Sequence, residues 1–135
     1  MNVTVVDASA IAAVIFGEPD GDVVWRQLEG RHLIAPALLP FELAQVCTTK
    51  RQRHPDLGES VLDQYVSALS EIPIEFVPVD FETLPRLATR FRLSAYDAVY
   101  LWLALAHQAP LVSLDRKLVA AHRDAGIAGT AGSSS

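Results

Sequence analysis

The chain reads as an α/β protein, a three-layer sandwich with a central parallel sheet flanked by helices. Three observations predict it. Four short runs read as strands, Val3–Val6, His32–Ala35, Ile74–Val79 and Leu111–Leu114, and the first and last have the β-branched or aliphatic character of buried parallel strands. Helix-patterned segments separate them, which is the βαβ alternation of a parallel sheet. Connections are short, and no internal repeat or linker divides the 135 residues, so one domain over 1–128 is expected.

In chain order, Val3–Val6 is the first strand and Ser9–Phe16 an apolar helix, punctuated by Gly17 and by Glu18-Pro19-Asp20-Gly21. A second helix from about Asp22 to Leu28 is stopped by Gly30, and His32–Ala35 makes a brief strand ending at Pro36. Leu38 to Arg53 is the third helix. Pro40 is tolerated there because the first turn has no intrahelical partner for the missing N–H. His54-Pro55-Asp56 breaks the chain, and Leu57–Leu69 restores helical spacing through Val61, Leu62, Tyr65, Val66 and Leu69. Ile74–Val79 is the third strand, with Pro78 pointing to an edge position or an early finish. A fifth helix is expected from Asp80 to Phe91, interrupted by Pro85, and Ser94-x-x-Asp97 opens a long apolar helix to His107 or Gln108. Pro110 precedes the fourth strand, a last helix spans Asp115 to Asp124, and a short strand is expected at Ile127. The small, polar residues 129–135 read as a disordered tail.

Composition narrows the function. Half the residues are hydrophobic, as in a globular protein with a real core. The longest apolar stretch, Ala98–Ala106, is about half the ~20 residues a bilayer span requires, and the opening lacks a signal peptide's pattern, so a cytoplasmic protein without membrane contact is expected. Cys47, the single cysteine, falls on the apolar side of its helix and suits core packing. A net charge of −5 argues against a general nucleic-acid coat protein but not against a nuclease, because the cations are grouped: Lys50, Arg51, Arg53; Arg86, Arg90, Arg92; Arg116, Lys117, Arg123. Each group is equally consistent with an ordinary solvated helix face.

Four carboxylates, Asp7, Glu42, Asp97 and Asp115, interrupt otherwise apolar stretches. Burying an unpaired carboxylate costs several kcal/mol, so such acids need a partner or a task. Asp7 and Asp115 follow strands, where ligands collect in open α/β sheets. Each acid also has a plain structural use. Asp7 and Asp115 suit N-caps, Asp97 completes a capping pattern, and Glu42 suits the wet face of its helix. Ser9 either caps its helix or holds a water or phosphate oxygen. Taken together, the acids form the oxygen-donor set of a hard divalent cation such as Mg²⁺ or Mn²⁺, whose charge would relieve their mutual repulsion. Such a site would activate water for in-line attack on a phosphodiester.

The motifs VVDASAI, FELAQV, SAYDAVYLWLA and LVSLD followed by RKL resemble, in this order and at about this spacing, the PIN-domain ribonucleases of the VapC toxin type. The likeness runs from Asp7 to about Val119. It implies a PIN-like sandwich in which Asp7, Glu42, Asp97 and Asp115 are the catalytic and metal-binding acids. Ser9 matches the small hydroxyl residue that accompanies the first acid, and Ser113 stands where many relatives carry threonine; both are expected to position substrate. The resemblance further implies an Mg²⁺-dependent endoribonuclease, with Mn²⁺ able to substitute, that cuts tRNA, rRNA or mRNA and stops translation. It also implies a homodimer restrained by a VapB-type antitoxin, through which alone operator DNA is contacted.

The remaining polar residues say less. His32, His54, His107 and His122 lack zinc-ligand spacing and read as surface or interface residues, and Trp25 and Trp102 as core or interface aromatics. Exposed apolar positions on the third and fourth helices suit an antitoxin groove or a dimer contact. An alternative from a different class makes the chain a non-catalytic binding subunit that regulates an antitoxin–DNA complex, although a pure scaffold gains nothing from clustered carboxylates. A phosphoacceptor receiver domain is ruled out locally: the first strand carries no acidic pair, and the middle of the chain is Lys50–His54 rather than a strand ending in aspartate.

Overall fold

A computed structural model describes the backbone of residues 3–133 and the side chains of residues 3–126. Four parallel strands lie in the order β3-β2-β1-β4, where β1 is Val3–Val6, β2 His32–Pro36, β3 Ile74–Val77 and β4 Leu111–Val112. Thr4 pairs with Leu33 and Val5 with both Ile34 and Leu111, so β1 is central and its Val5 and Val6 are fully buried.

The helices are α1 (Ala8–Ile15), α2 (Gly21–Leu28), α3 (Leu39–Arg53), α4 (Ser60–Glu71), α5 (Leu84–Phe91), α6 (Ala95–His107) and α7 (Arg116–Ser133). The steps β1 to β2 and β2 to β3 move one way across the sheet, while β3 to β4 returns past β1. Right-handed crossovers therefore put α1–α4 on one face and α5 and α6 on the other, giving three layers. Packing agrees: α1 touches α2, α3 and α4, whereas α6 lies across β1, β2 and β4 and between α5 and α7. The core joins Ile11, Leu39 and Leu43 from one layer to Leu101, Leu103 and Leu118 from the other. Cys47 is buried there, with its thiol directed at the Val61 carbonyl.

Strand β3 finishes at Val77, just before Pro78, and four further boundaries differ from expectation, each for a local reason. Strand β4 stops at Val112 because the next N–H groups, of Leu114 and Asp115, bond to the hydroxyls of Ser9 and Ser113 instead of a neighbouring strand. Helix α5 begins at Leu84, after Asp80 accepts the Glu82 N–H in a tight turn, so Pro85 falls harmlessly in the first helical turn. Helix α4 begins at Ser60 because Pro55–Leu57 forms a 3₁₀ turn and Gly58 follows with φ of 61°. Finally, α7 continues to Ser133 where a strand at Ile127 and then the tail were expected. Ala120, Ala121, Ala125, Ala128 and Ala131 supply the helix propensity that Gly126, Gly129 and Gly132 lack. Residues 134–135 lie outside the described residues. Among the described residues no helix is long and apolar enough to cross a membrane.

Close approach of α1 and α2 depends on one glycine. A Cβ at Gly21 would lie 2.5 Å from the Ala13 carbonyl oxygen, a backbone atom that cannot swing away. Gly21→Ala should therefore lower stability by roughly 1–3 kcal/mol. A urea midpoint unchanged from that of the parent would show that this packing is looser than the structure indicates.

Candidate active site

The four acids converge at the carboxyl end of the sheet, beside the β1–β4 switch point where the strand order reverses. Each comes from the N-terminus of a different helix. Asp7 caps α1, Glu42 lies in the first turn of α3, Asp97 in that of α6, and Asp115 precedes α7 and accepts the N–H groups of Lys117 and Leu118. Asp7 and Asp115 serve as caps, and at all four acids a helix dipole presents its positive end where the carboxylates gather. Asp7, Ser9, Glu42, Asp97, Tyr100 and Asp115 line one cleft of about 320 Å³.

Asp7 is the fixed point. It is 6 % exposed, and its Oδ1 accepts the Ser9 hydroxyl at 2.7 Å and the Ala10 N–H at 3.0 Å. Its Oδ2 accepts the Ser113 hydroxyl at 2.5 Å. The same two hydroxyl oxygens accept N–H groups from Leu114 and Asp115, so Ser9 and Ser113 clamp the β4–α7 turn onto Asp7. Each hydroxyl has one proton, and both are committed to the carboxylate. In this structure both serines orient Asp7 through these bonds.

Tyr100 is the cleft residue that sequence reasoning missed. Its side chain is buried within α6, yet its hydroxyl donates to Glu42 Oε1 at 2.5 Å across 58 positions of sequence. Standing three residues after Asp97, it lies on the same helical face, which is the signal that would have found it.

Electrostatics follow from the crowding. Burial pushes the Asp7 carboxyl above its ordinary range, and the Asp115 charge adds to this against the hydroxyl and amide bonds that favour the anion. Glu42 is raised by burial and by Asp97 and Asp7, against the opposing Tyr100 bond. Asp97 is raised by burial and by Asp115, while the Ser94 hydroxyl and the Lys117 charge lower it. Tyr100 is held as the neutral phenol by burial and by Glu42. Among the described residues, no Lys, Arg or His forms an ion pair with any of the four acids.

A cation would answer this accumulated charge. Among the described residues no three His, Cys, Asp or Glu side chains close into a ready cage. The donor set nevertheless fits a hard divalent ion, since Mg²⁺ keeps several waters and is bound directly by only one or two carboxylates. All four acids offer oxygen alone, and their open ring suits such a water-completed site.

The histidines lie elsewhere: His32 meets Glu75 at 3.0 Å, His122 faces the Ala109 carbonyl at 3.2 Å, and His54 and His107 are exposed near helix ends. Trp102 packs against the core, and Trp25 is partly exposed on α2.

Comparison with known families decides the relationship. The PIN domain model matches residues 4–123, nearly the whole described chain. The chain belongs to the PIN domain family. A crystal structure of PAE2754 from Pyrobaculum aerophilum has the same fold, with a TM-score of 0.71 and 23% identity over 90% of this chain and 86% of that one. No curated protein matches by sequence. PIN domains are nuclease-type folds that typically use divalent metal ions, so the acidic cleft occupies a nuclease framework.

Proposed function

We propose that this PIN domain is an Mg²⁺- or Mn²⁺-dependent endoribonuclease of the VapC type, the toxin of a type II toxin–antitoxin module that acts on cytoplasmic RNA. The observation that carries the reading is the convergence of Asp7, Glu42, Asp97 and Asp115 on one cleft, with no ion pair to any of them among the described residues. The non-catalytic alternative gives no reason for that arrangement.

Asp7, Asp97, Asp115 and Glu42 would hold the cation. When bound, it supplies positive charge to a phosphoryl oxygen and lowers the pKa of a water. Ser9 and Ser113 fix the Asp7 oxygens in direction, so the carboxylate does not reorganise as charge develops. Tyr100 does the same for one oxygen of Glu42, a residue that lines the cleft. Tyr100→Phe should lower cleavage by about 10–100-fold, the usual worth of a residue that orients a metal ligand. It should also raise the Mn²⁺ concentration for half-maximal binding in calorimetry. Wild-type affinity and rate in that variant would leave the bond with no functional role.

A VapB-type antitoxin and a second copy of the chain are the partners this reading supplies. Exposed Phe41 on α3 and Val66 on α4 support protein contact there. An apolar cleft of about 400 Å³ flanked by Phe81 and Tyr96 supports it further. Induced expression in a bacterial host should arrest growth, and Asp7→Asn should not. Growth unaffected by a protein that cleaves RNA in vitro would keep the nuclease and remove the toxin.

A further inference from the structure

A phosphate backbone approaching the acidic cleft meets four carboxylates on a chain of net charge −5, so cations must lie alongside to guide it. The fold separates the three basic groups. Arg86 and Arg90 lie on α5 and line neither the acidic cleft nor its neighbour; of the third group, Arg123 meets Asp124 at 3.7 Å, and Lys117 stands beside the acids, where its charge lowers Asp97, but lines neither cleft. The group on α3 is different. Thr49, Lys50, Arg53 and His54 line a second cleft of about 330 Å³. That cleft shares Gln45 and Val46 with the acidic one, so the two are continuous.

Helical geometry produces this trough. Positions 42, 45, 46, 49, 50 and 53 recur at the spacing of one helix face, and Glu42 to Arg53 spans about 16 Å at the usual rise. Arg51 points elsewhere and bonds Glu59 at 3.2 Å. Lys50 is steadied by the Phe16 ring, 5.2 Å from its ammonium, and Arg53 has no ion pair among the described residues. Among the described residues Glu18 is the one acid lining the basic cleft, and Lys50 and Arg53 outnumber it.

We infer that the α3 trough is the track of a single-stranded RNA, whose phosphates rest on Lys50 and Arg53 and whose chain leads past Gln45 into the acidic cleft. The inference rests on the ribonuclease reading. An unpaired strand is the usual form in which RNA is read by sequence, and it can follow a narrow face such as that of α3. Binding along the trough would also fix the direction in which the strand crosses the acids.

The test is binding of a labelled single-stranded RNA of mixed sequence, with Mg²⁺ present, to the Asp97→Asn chain over a series of salt concentrations. Adding Lys50→Gln and Arg53→Gln should weaken binding at least about tenfold at low salt and flatten the salt slope by about 1.4, two contacts at ~0.7 each. Glu18→Gln should tighten binding, a gain that misfolding cannot mimic, and Arg86→Gln with Arg90→Gln should change nothing. Unaltered affinity and slope in the Lys50/Arg53 variant, beside a wild-type chain that cleaves RNA, would overturn the track and leave the nuclease standing. Loss of a protein partner with RNA binding intact would assign the trough to that partner and likewise overturn it. Absence of both binding and cleavage in the wild type would remove the ribonuclease reading and the track with it.

Discussion

Asp97→Asn is expected to reduce RNA cleavage by well over 100-fold while leaving the fold intact. Even residues one step removed from a metal ligand are worth about 10–100-fold, so loss of a ligand itself must exceed that. The substitution is also clean. Asp97 is only half-buried, and the bond from its backbone N–H to the Ser94 hydroxyl, 3.1 Å long, survives the change. Removing one of several repelling charges should leave the metal-free protein slightly more stable. Asp7→Asn should be as inactive but structurally less innocent. An amide has one acceptor oxygen where Asp7 accepts Ser9 and Ser113 on different oxygens, so one serine hydroxyl must turn away. A cost of about 1 kcal/mol is expected for that lost bond. Kinetics and urea melts of both variants separate the two effects, and substantial activity in Asp97→Asn would be inconsistent with the acidic cleft as a nuclease centre.

The second large effect is on stability, and its sign depends on pH. In the unfolded chain Asp ionises near 3.8 and Glu near 4.5, whereas Asp7, Glu42 and Asp97 are all raised in the folded protein. The folded state therefore holds protons more tightly, and the metal-free protein should gain stability as pH falls from neutrality through the raised values toward the ordinary ones. Above that window the ionised acids repel one another and the contribution is unfavourable. A divalent cation should reverse this at neutral pH. At a concentration 100 times its Kd it contributes about 2.7 kcal/mol, or roughly 10 °C in Tm for a domain of this size. The gain should shrink as pH falls, because protons compete for the same oxygens, and should shrink in Asp97→Asn. Thermal melts with Mg²⁺, Mn²⁺ or EDTA across pH 5–8 check it, and a Tm at neutral pH indifferent to cations would count against a metal site.

Much of this arrangement is readable in the sequence because burial leaves a legible mark. An acid that closes an aliphatic run, as Asp7 does after Val3–Val6, is conspicuous against its neighbours, and parallel topology brings the strand ends to one rim. Local chemistry was harder to apportion. Capping and metal binding read as competing uses of Asp7 and Asp115, yet helix N-termini aimed at one cleft allow both at once, while at α6 the cap is the Ser94 hydroxyl rather than the Asp97 carboxylate. Tyr100 was hidden because a tyrosine in Ala98–Ala106 reads as core, and only the tertiary fold brings Glu42 to its hydroxyl. The early end of β4 was hidden for a related reason, since the hydroxyls that divert its amides come from Ser9, more than 100 positions away, as well as from Ser113.

The most direct test of the central claim is incubation of the purified protein with total cellular RNA and Mg²⁺ or Mn²⁺, beside EDTA and Asp97→Asn controls, with the cut ends sequenced. Cuts at a few positions that require the cation and vanish in the variant are the predicted result. Intact RNA from a well-folded, cation-loaded protein would contradict it and leave the acidic cleft to a binding subunit.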